Sequence, residues 1–328
     1  MNLLEIANSA ISAFASFMWG LPLLILLLGG GIFFSLYSRF VPFKYFGHGL
    51  NILLGRYHDP KDPGEITHFQ ALSSALASTV GLGNISGVAI AIQMGGPGAL
   101  FWMWVSAVVG MSTKFFSCTL SILYRGKDDE GNIQGGPMYY IENGLGPKFK
   151  PLSILFSLAG LIGCTVMFQS NQLADIIRNE IFIPYGWFSD SVMMGNFVQG
   201  VIMAILTAIV IFGGIQRIGQ VASYMVPIMV VLYLFSGLLV IFNHLSEIPS
   251  LFGLIINDAF TGDAVMGGAV GSVIIAGVRR ALFSNEAGLG TSDMAHGAAQ
   301  TKEPVREGLV AMIEPFIDTI VVCTITAM

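Results

Sequence analysis

The chain has 328 residues, 54% hydrophobic and 11% charged, with 15 basic against 20 acidic side chains and a formal net charge of −5. A soluble domain carries roughly a quarter charged residues, so this composition excludes a water-soluble globule, and the acidic balance excludes a nucleic-acid partner, which needs a basic face. Cys118, Cys164 and Cys323 each lie in an apolar run without paired spacing, which excludes a disulfide scaffold.

What remains is an all-α polytopic protein of the lipid bilayer. A helix needs about 20 apolar residues to cross the hydrocarbon core, and an open strand edge cannot sit there. The hydropathy pattern predicts spans near 14–37, 68–92, 98–124, 151–177, 195–213, 221–243, 263–283 and 308–328. The residues ahead of the first span contain Glu5 and no Lys or Arg. A secretory leader would be basic there, so this span is expected to be retained.

The second span carries STVGLGNISG, Ser78 to Gly87, with Gly81, Gly83 and Gly87 beside Thr79, Asn84 and Ser86. Each glycine costs about 1 kcal/mol against alanine in a helix interior, so the cluster predicts local unwinding. Backbone groups freed at that depth must line a cavity and find a partner. Carbonyls suit a cation, and the N–H end of the following half-helix suits a carboxylate. Scattered glycines such as Gly160 and Gly163 fit close helix packing instead.

In the third span, Lys114 is expected to snorkel toward the inner headgroups. Gln169, Ser170 and Asn171 interrupt the fourth; an amide there can bond either end of a zwitterion or join two helices. The seventh span repeats the glycine feature in GDAVMGGAVGS, with Gly267, Gly268 and Gly271, and Asp263 near its outer start. Two interrupted spans separated by uninterrupted ones are the pattern of an inverted-repeat transporter, with the substrate between the breaks.

In the eighth span, Glu314 and Asp318 are spaced i, i+4 and share a face. They are expected to face the bundle and accept a proton, a cation or donors from a neighbouring helix, with a kink at Pro315. The run closes on ITAM without a polar flank, which reads as the front portion of a longer protein.

Placing the N-terminus outside puts every basic residue except Lys114 and Arg178 in an inner loop, Arg279 and Arg280 among them. This is the orientation that basic loops favour in a plasma membrane. No enzymatic constellation emerges. His48, His58, His68, His244 and His296 fall in loops or at span ends, and CxxC, HExxH and P-loop motifs are absent, so neither cofactor nor resident metal is expected.

Several stretches together resemble the alanine or glycine:cation symporters, the sodium:alanine symporter family. They are STVGLGNISGVAIAI, GGPGALFWMWVSAVVG (Gly95 to Gly110), QGGPMYYIENGLG (Gln134 to Gly146) and FGGIQRIGQVASYMVP (Phe212 to Pro227). LFSNEAGLGTSDMAHGAAQTKEPVREGLVAM (Leu282 to Met312) and FIDTIVVCTITA (Phe316 to Ala327) complete the set. The resemblance implies a leucine-transporter-type fold of two inverted five-helix repeats after one extra helix, with about eleven spans in all. Residues 1–65 would hold the extra helix and a cytoplasmic loop, 66–245 the first repeat and 246–328 the start of the second.

It also implies alternating-access symport of alanine or glycine with Na+ or H+. The substrate would meet Thr79, Gly81, Gly83, Asn84, Gln169, Gly267 and Gly268, and the cation Ala77, Val80 and Asn84. One departure stands out: the family often has an acidic residue where Ser117 stands, which removes the expected partner of Lys114. A sensor that binds without transporting, or a passive channel of the same fold, is the alternative. Oligomeric state is left open.

Overall fold

A computed structural model describes residues 3–165, 167–188, 191–260 and 270–328. Leaving aside the single turn Val41–Lys44, the described α-helices are α1 (Leu3–Met18), α2 (Leu21–Tyr37), α3 (Phe46–Leu53), α4 (His68–Thr79), α5 (Ser86–Gly95), α6 (Ala99–Leu123), α7 (Pro137–Leu145) and α8 (Lys150–Gly163). There follow α9 (Met167–Ile177), α10 (Val192–Ile211), α11 (Gly214–Asn243), α12 (Ile248–Phe260), α13 (Val270–Asn285) and α14 (Thr291–Gly297). The last, α15, runs Pro304–Ala327 and passes through a π-helical stretch, Phe316–Cys323.

Among the described residues the only sheet is a two-residue hairpin, β1 (Gly126–Lys127) antiparallel to β2 (Ile133–Gln134), with Gly126 opposite Gln134. Among the described residues five stretches are long and apolar enough to cross a bilayer: Glu5–Tyr37, α6, α10, α11 and α15. The first bends at Gly20, ahead of Pro22.

The centre is α6 and α15, whose apolar windows are 61% and 67% buried, whereas those of α10 and α11 are 11% and 6% buried and suit a lipid-facing position. Leu76, Val80, Met111, Phe115, Val310 and Ile313 interlock between α4, α6 and α15. Lipid tails are as apolar as these side chains, so packing rather than water release holds the interface. Gly308 permits the approach: a β-carbon there would overlap Thr119 Oγ1 and the Phe115 carbonyl.

The second predicted span is two half-helices, α4 and α5, as the glycine cluster requires. The fourth is not the single rod expected: α8 ends at Gly163 and α9 starts at Met167. An apolar helix, α12, lies between the sixth and seventh predicted spans; Asp258 Oδ2 accepts the Gly98 N–H at 2.7 Å, just ahead of α6. Arg279 and Arg280, expected in an inner loop, lie inside α13 instead. Their guanidinium groups donate to the carbonyls of Trp19 and Gly83 respectively, which removes them from the solvent-facing loops.

Candidate functional site

The first break begins where α4 runs out. A capping box fixes the helix start: Thr67 Oγ1 accepts the Gln70 N–H at 3.2 Å and Gln70 Oε1 accepts the Thr67 N–H at 2.9 Å. At the other end Val80 turns extended, φ −81° and ψ 108°. The Gly81 N–H then leaves the helical ladder for Asn84 Oδ1 at 2.9 Å. Among the described residues the N–H groups of Leu82 and Gly83 and the carbonyls of Ala77 and Val80 take no hydrogen bond.

The second break lies between α13 and α14. Glu286, Gly288 and Gly290 have φ of 51°, 91° and 82°, and Asn285 Oδ1 accepts the Ala287 N–H at 3.0 Å. A glutamate at positive φ is a strained conformation of the kind that clusters at working sites. Gly267, Gly268 and Asp263 lie outside the described residues, and Gly271 already belongs to α13. The signal for this break was in the sequence: Gly288-Leu289-Gly290 repeats Gly81-Leu82-Gly83.

A buried polar node joins the two breaks to α15. Asn84 is fully buried, and its Nδ2 donates to Ser284 Oγ at 2.9 Å and Asp318 Oδ1 at 2.6 Å. Ser284 Oγ and Thr319 Oγ1 donate to Asp318 Oδ2 at 2.7 and 2.8 Å, and Asn285 Nδ2 donates to Thr319 Oγ1 at 3.0 Å. Thr79, by contrast, turns its hydroxyl back to the Ala75 carbonyl at 3.3 Å.

Beside the node lies a cavity of about 610 Å³, lined by Ala77, Ser78, Gln169, Glu286, Thr291 and Ser292 among others. Gln169 therefore reaches the region of both breaks, while Asn171 is exposed and does not line the cavity. Glu286 and Thr291, which sequence reasoning did not single out, supply its polar wall; the Thr291 hydroxyl donates to Glu286 Oε2.

Lys114 does not snorkel. It is 1% exposed, and its ammonium bonds Glu314 Oε2 at 2.8 Å and the Ser292 hydroxyl. A cation so far from water needs a carboxylate, and Glu314 on α15 provides it. Ser117 Oγ and Tyr140 OH donate to Asp293 on α14 at 2.8 and 3.1 Å.

His68 and His296 lie at helix ends, as expected, His68 opening α4 and His296 in the last turn of α14. Both are buried; His296 Nδ1 lies 2.5 Å from Glu307 Oε1, and His68 Nδ1 bonds Glu307 Oε2. Glu314 and Asp318 do face the bundle, each fully buried. Among the described residues no group of His, Cys, Asp and Glu is arranged to hold a resident metal.

Two helix interruptions, a polar node between them and a cavity alongside are the architecture expected of a transporter. A model of the sodium:alanine symporter family matches residues 4–328. An uncharacterized transporter of Haemophilus influenzae is 42% identical over 327 residues, 97% of this chain and 68% of its own length. The sodium/alanine symporter AgcS of Methanococcus maripaludis is 42% identical over 325 residues, 98% of this chain and 69% of its own. The probable sodium/glutamine symporter GlnT of Bacillus subtilis is 35% identical over 310 residues, 94% and 62% respectively. The chain thus spans about two thirds of the length of these relatives, and it belongs to the sodium:alanine symporter family.

Proposed function

We propose that the protein works as a secondary symporter, taking up a small neutral amino acid, alanine or glycine, with Na+ or H+ by alternating access. The observation that carries this reading is the convergence of two Gly-Leu-Gly breaks on one buried node beside a cavity. The free N–H groups of Leu82 and Gly83 suit the substrate carboxylate, with the positive end of the α5 backbone dipole behind them. The free carbonyls of Ala77 and Val80, with Asn84 and the charge of Asp318, suit the cation. Gln169 and Glu286 give the ammonium group polar partners.

In this reading α4 and α5 open the first of two inverted five-helix repeats, and α13 and α14 open the second. The N-terminus lies outside the plasma membrane and the remaining basic loops inside. One charge moving down 100 mV supplies about 2.3 kcal/mol, enough to concentrate the amino acid roughly fiftyfold.

The test is uptake of labelled alanine into vesicles that hold the full-length protein, under an imposed Na+ or pH gradient. Accumulation that follows either gradient is expected; uptake that ignores both rejects coupling. Competition by glycine and by glutamine then sets the substrate range, since the relative GlnT carries a glutamine name.

A further inference from the structure

Two cavities flank the breaks, one against each pair of half-helices. The first is walled by the half-helices α4 and α14, through Ser74–Ser78 and Thr291–Ala298. A second cavity, of about 700 Å³, is walled by the other halves, α5 and α13, and includes Gly87, Ala91, Ala276, Arg280 and Phe283. One side chain of the second cavity reaches the first break. Arg280 leaves α13, crosses to the first break, and its Nη2 donates to the carbonyl of Gly83.

The fit around that guanidinium is specific. It lies flat against α5 at Gly87, where any β-carbon would overlap Cζ and both terminal nitrogens. Its other face is 5.0 Å from the centroid of the Phe283 ring, a cation–π contact. Arg280 Nε is buried and has no hydrogen-bond partner among the described residues. An arginine with its buried Nε–H unspent and a single backbone acceptor is held less firmly than a fully paired one, so it can release.

We propose that Arg280 is the latch of the side of the substrate site that faces α5 and α13. Clasped on Gly83, it draws α13 onto the first break and separates the second cavity from the node; released, it lets α5 and α13 part. It is a positioning residue, not a ligand of substrate or ion. The inference rests on the transport reading above, and at Gly87 the three atoms nearest to an added β-carbon all belong to Arg280.

That contact makes a double-mutant test possible. In full-length protein, Arg280→Ala and Gly87→Ala are each expected to lower the maximal rate of alanine uptake at least tenfold. Both should keep alanine binding, measured in detergent, within threefold of wild type. The double variant should be no slower than Arg280→Ala, because the new methyl group enters vacated space. Losses that multiply in the double variant, or binding lost in proportion to uptake, overturn the latch.

If Gly87→Ala alone fails to fold, a folded double variant supports the proposal, and a double variant that also fails to fold overturns it. A wild type without gradient-driven uptake of alanine, glycine or glutamine defeats the transport reading and the latch together. A transporting wild type with unimpaired Arg280→Ala defeats the latch alone.

Discussion

Asn84 and Asp318 are 234 positions apart in the chain, yet Asn84 Nδ2 donates to Asp318 Oδ1 at 2.6 Å. The bond fastens the first break to the last helix. Asn84 also caps the break from within by accepting the Gly81 N–H, so one side chain both shapes the unwound segment and anchors it.

Replacing Asn84 with leucine therefore removes a donor from a buried carboxylate and an acceptor from the break. Asn84→Leu is expected to abolish uptake and to destabilise the fold by about 1–3 kcal/mol, the cost of leaving a buried polar group unpaired. Uptake and thermal unfolding of the purified variant check both. Unchanged transport would mean that the site lies elsewhere.

Lys114→Met leaves Glu314 fully buried and without the ammonium that pairs with it, the His296 imidazole lying farther off at 3.7 Å. Breaking one side of a buried pair costs about 3–5 kcal/mol. A large fall in the unfolding midpoint is expected, with substantial recovery in the Lys114→Met, Glu314→Gln double variant. Thermal scans of the single and double variants settle the coupling.

Glu286→Gln keeps an acceptor for the Thr291 hydroxyl but removes the negative charge from the cavity wall. If that charge faces the ammonium group, the KM for alanine should rise about tenfold, some 1.4 kcal/mol, with expression unchanged. Concentration-dependent uptake measures it.

Outside the spans, Lys302 Nζ lies 2.6 Å from Asp62 Oδ1, and this hydrogen bond holds the Asp62 carboxyl below its ordinary 3.8. A depressed folded pKa contributes stability that is present above the unfolded value and is lost as pH falls through the folded one. Lys302→Met should speed limited proteolysis in the loop around Asp62 above about pH 4, and the difference from wild type should vanish at lower pH. A difference that persisted in acid would mean that the lysine acts through packing.

The membrane class, most of the spans and the first break were legible because each rests on local chemistry: hydropathy over about 20 residues, or glycines beside polar side chains. The break expected at Gly267 and Gly268 lies outside the described residues, and the one between α13 and α14 was passed over because GDAVMGGAVGS has more glycines than Asn285-Glu-Ala-Gly-Leu-Gly290. What unwinds the latter is a pair of positive-φ glycines and Asn285 capping its own backbone, and glycine count is blind to that. Lys114 illustrates the other kind of miss. Its partner Glu314 is 200 residues away, and burial of a charge depends on a neighbour that no local window contains.

The Glu307 carboxylate, held between the imidazoles of His68 and His296, yokes α4 to α14. Swinging either rod by itself would strand an anion far from water with half its donors gone. An excursion that spares both bonds carries α4, α14 and the Glu307 turn of α15 along as one geared unit.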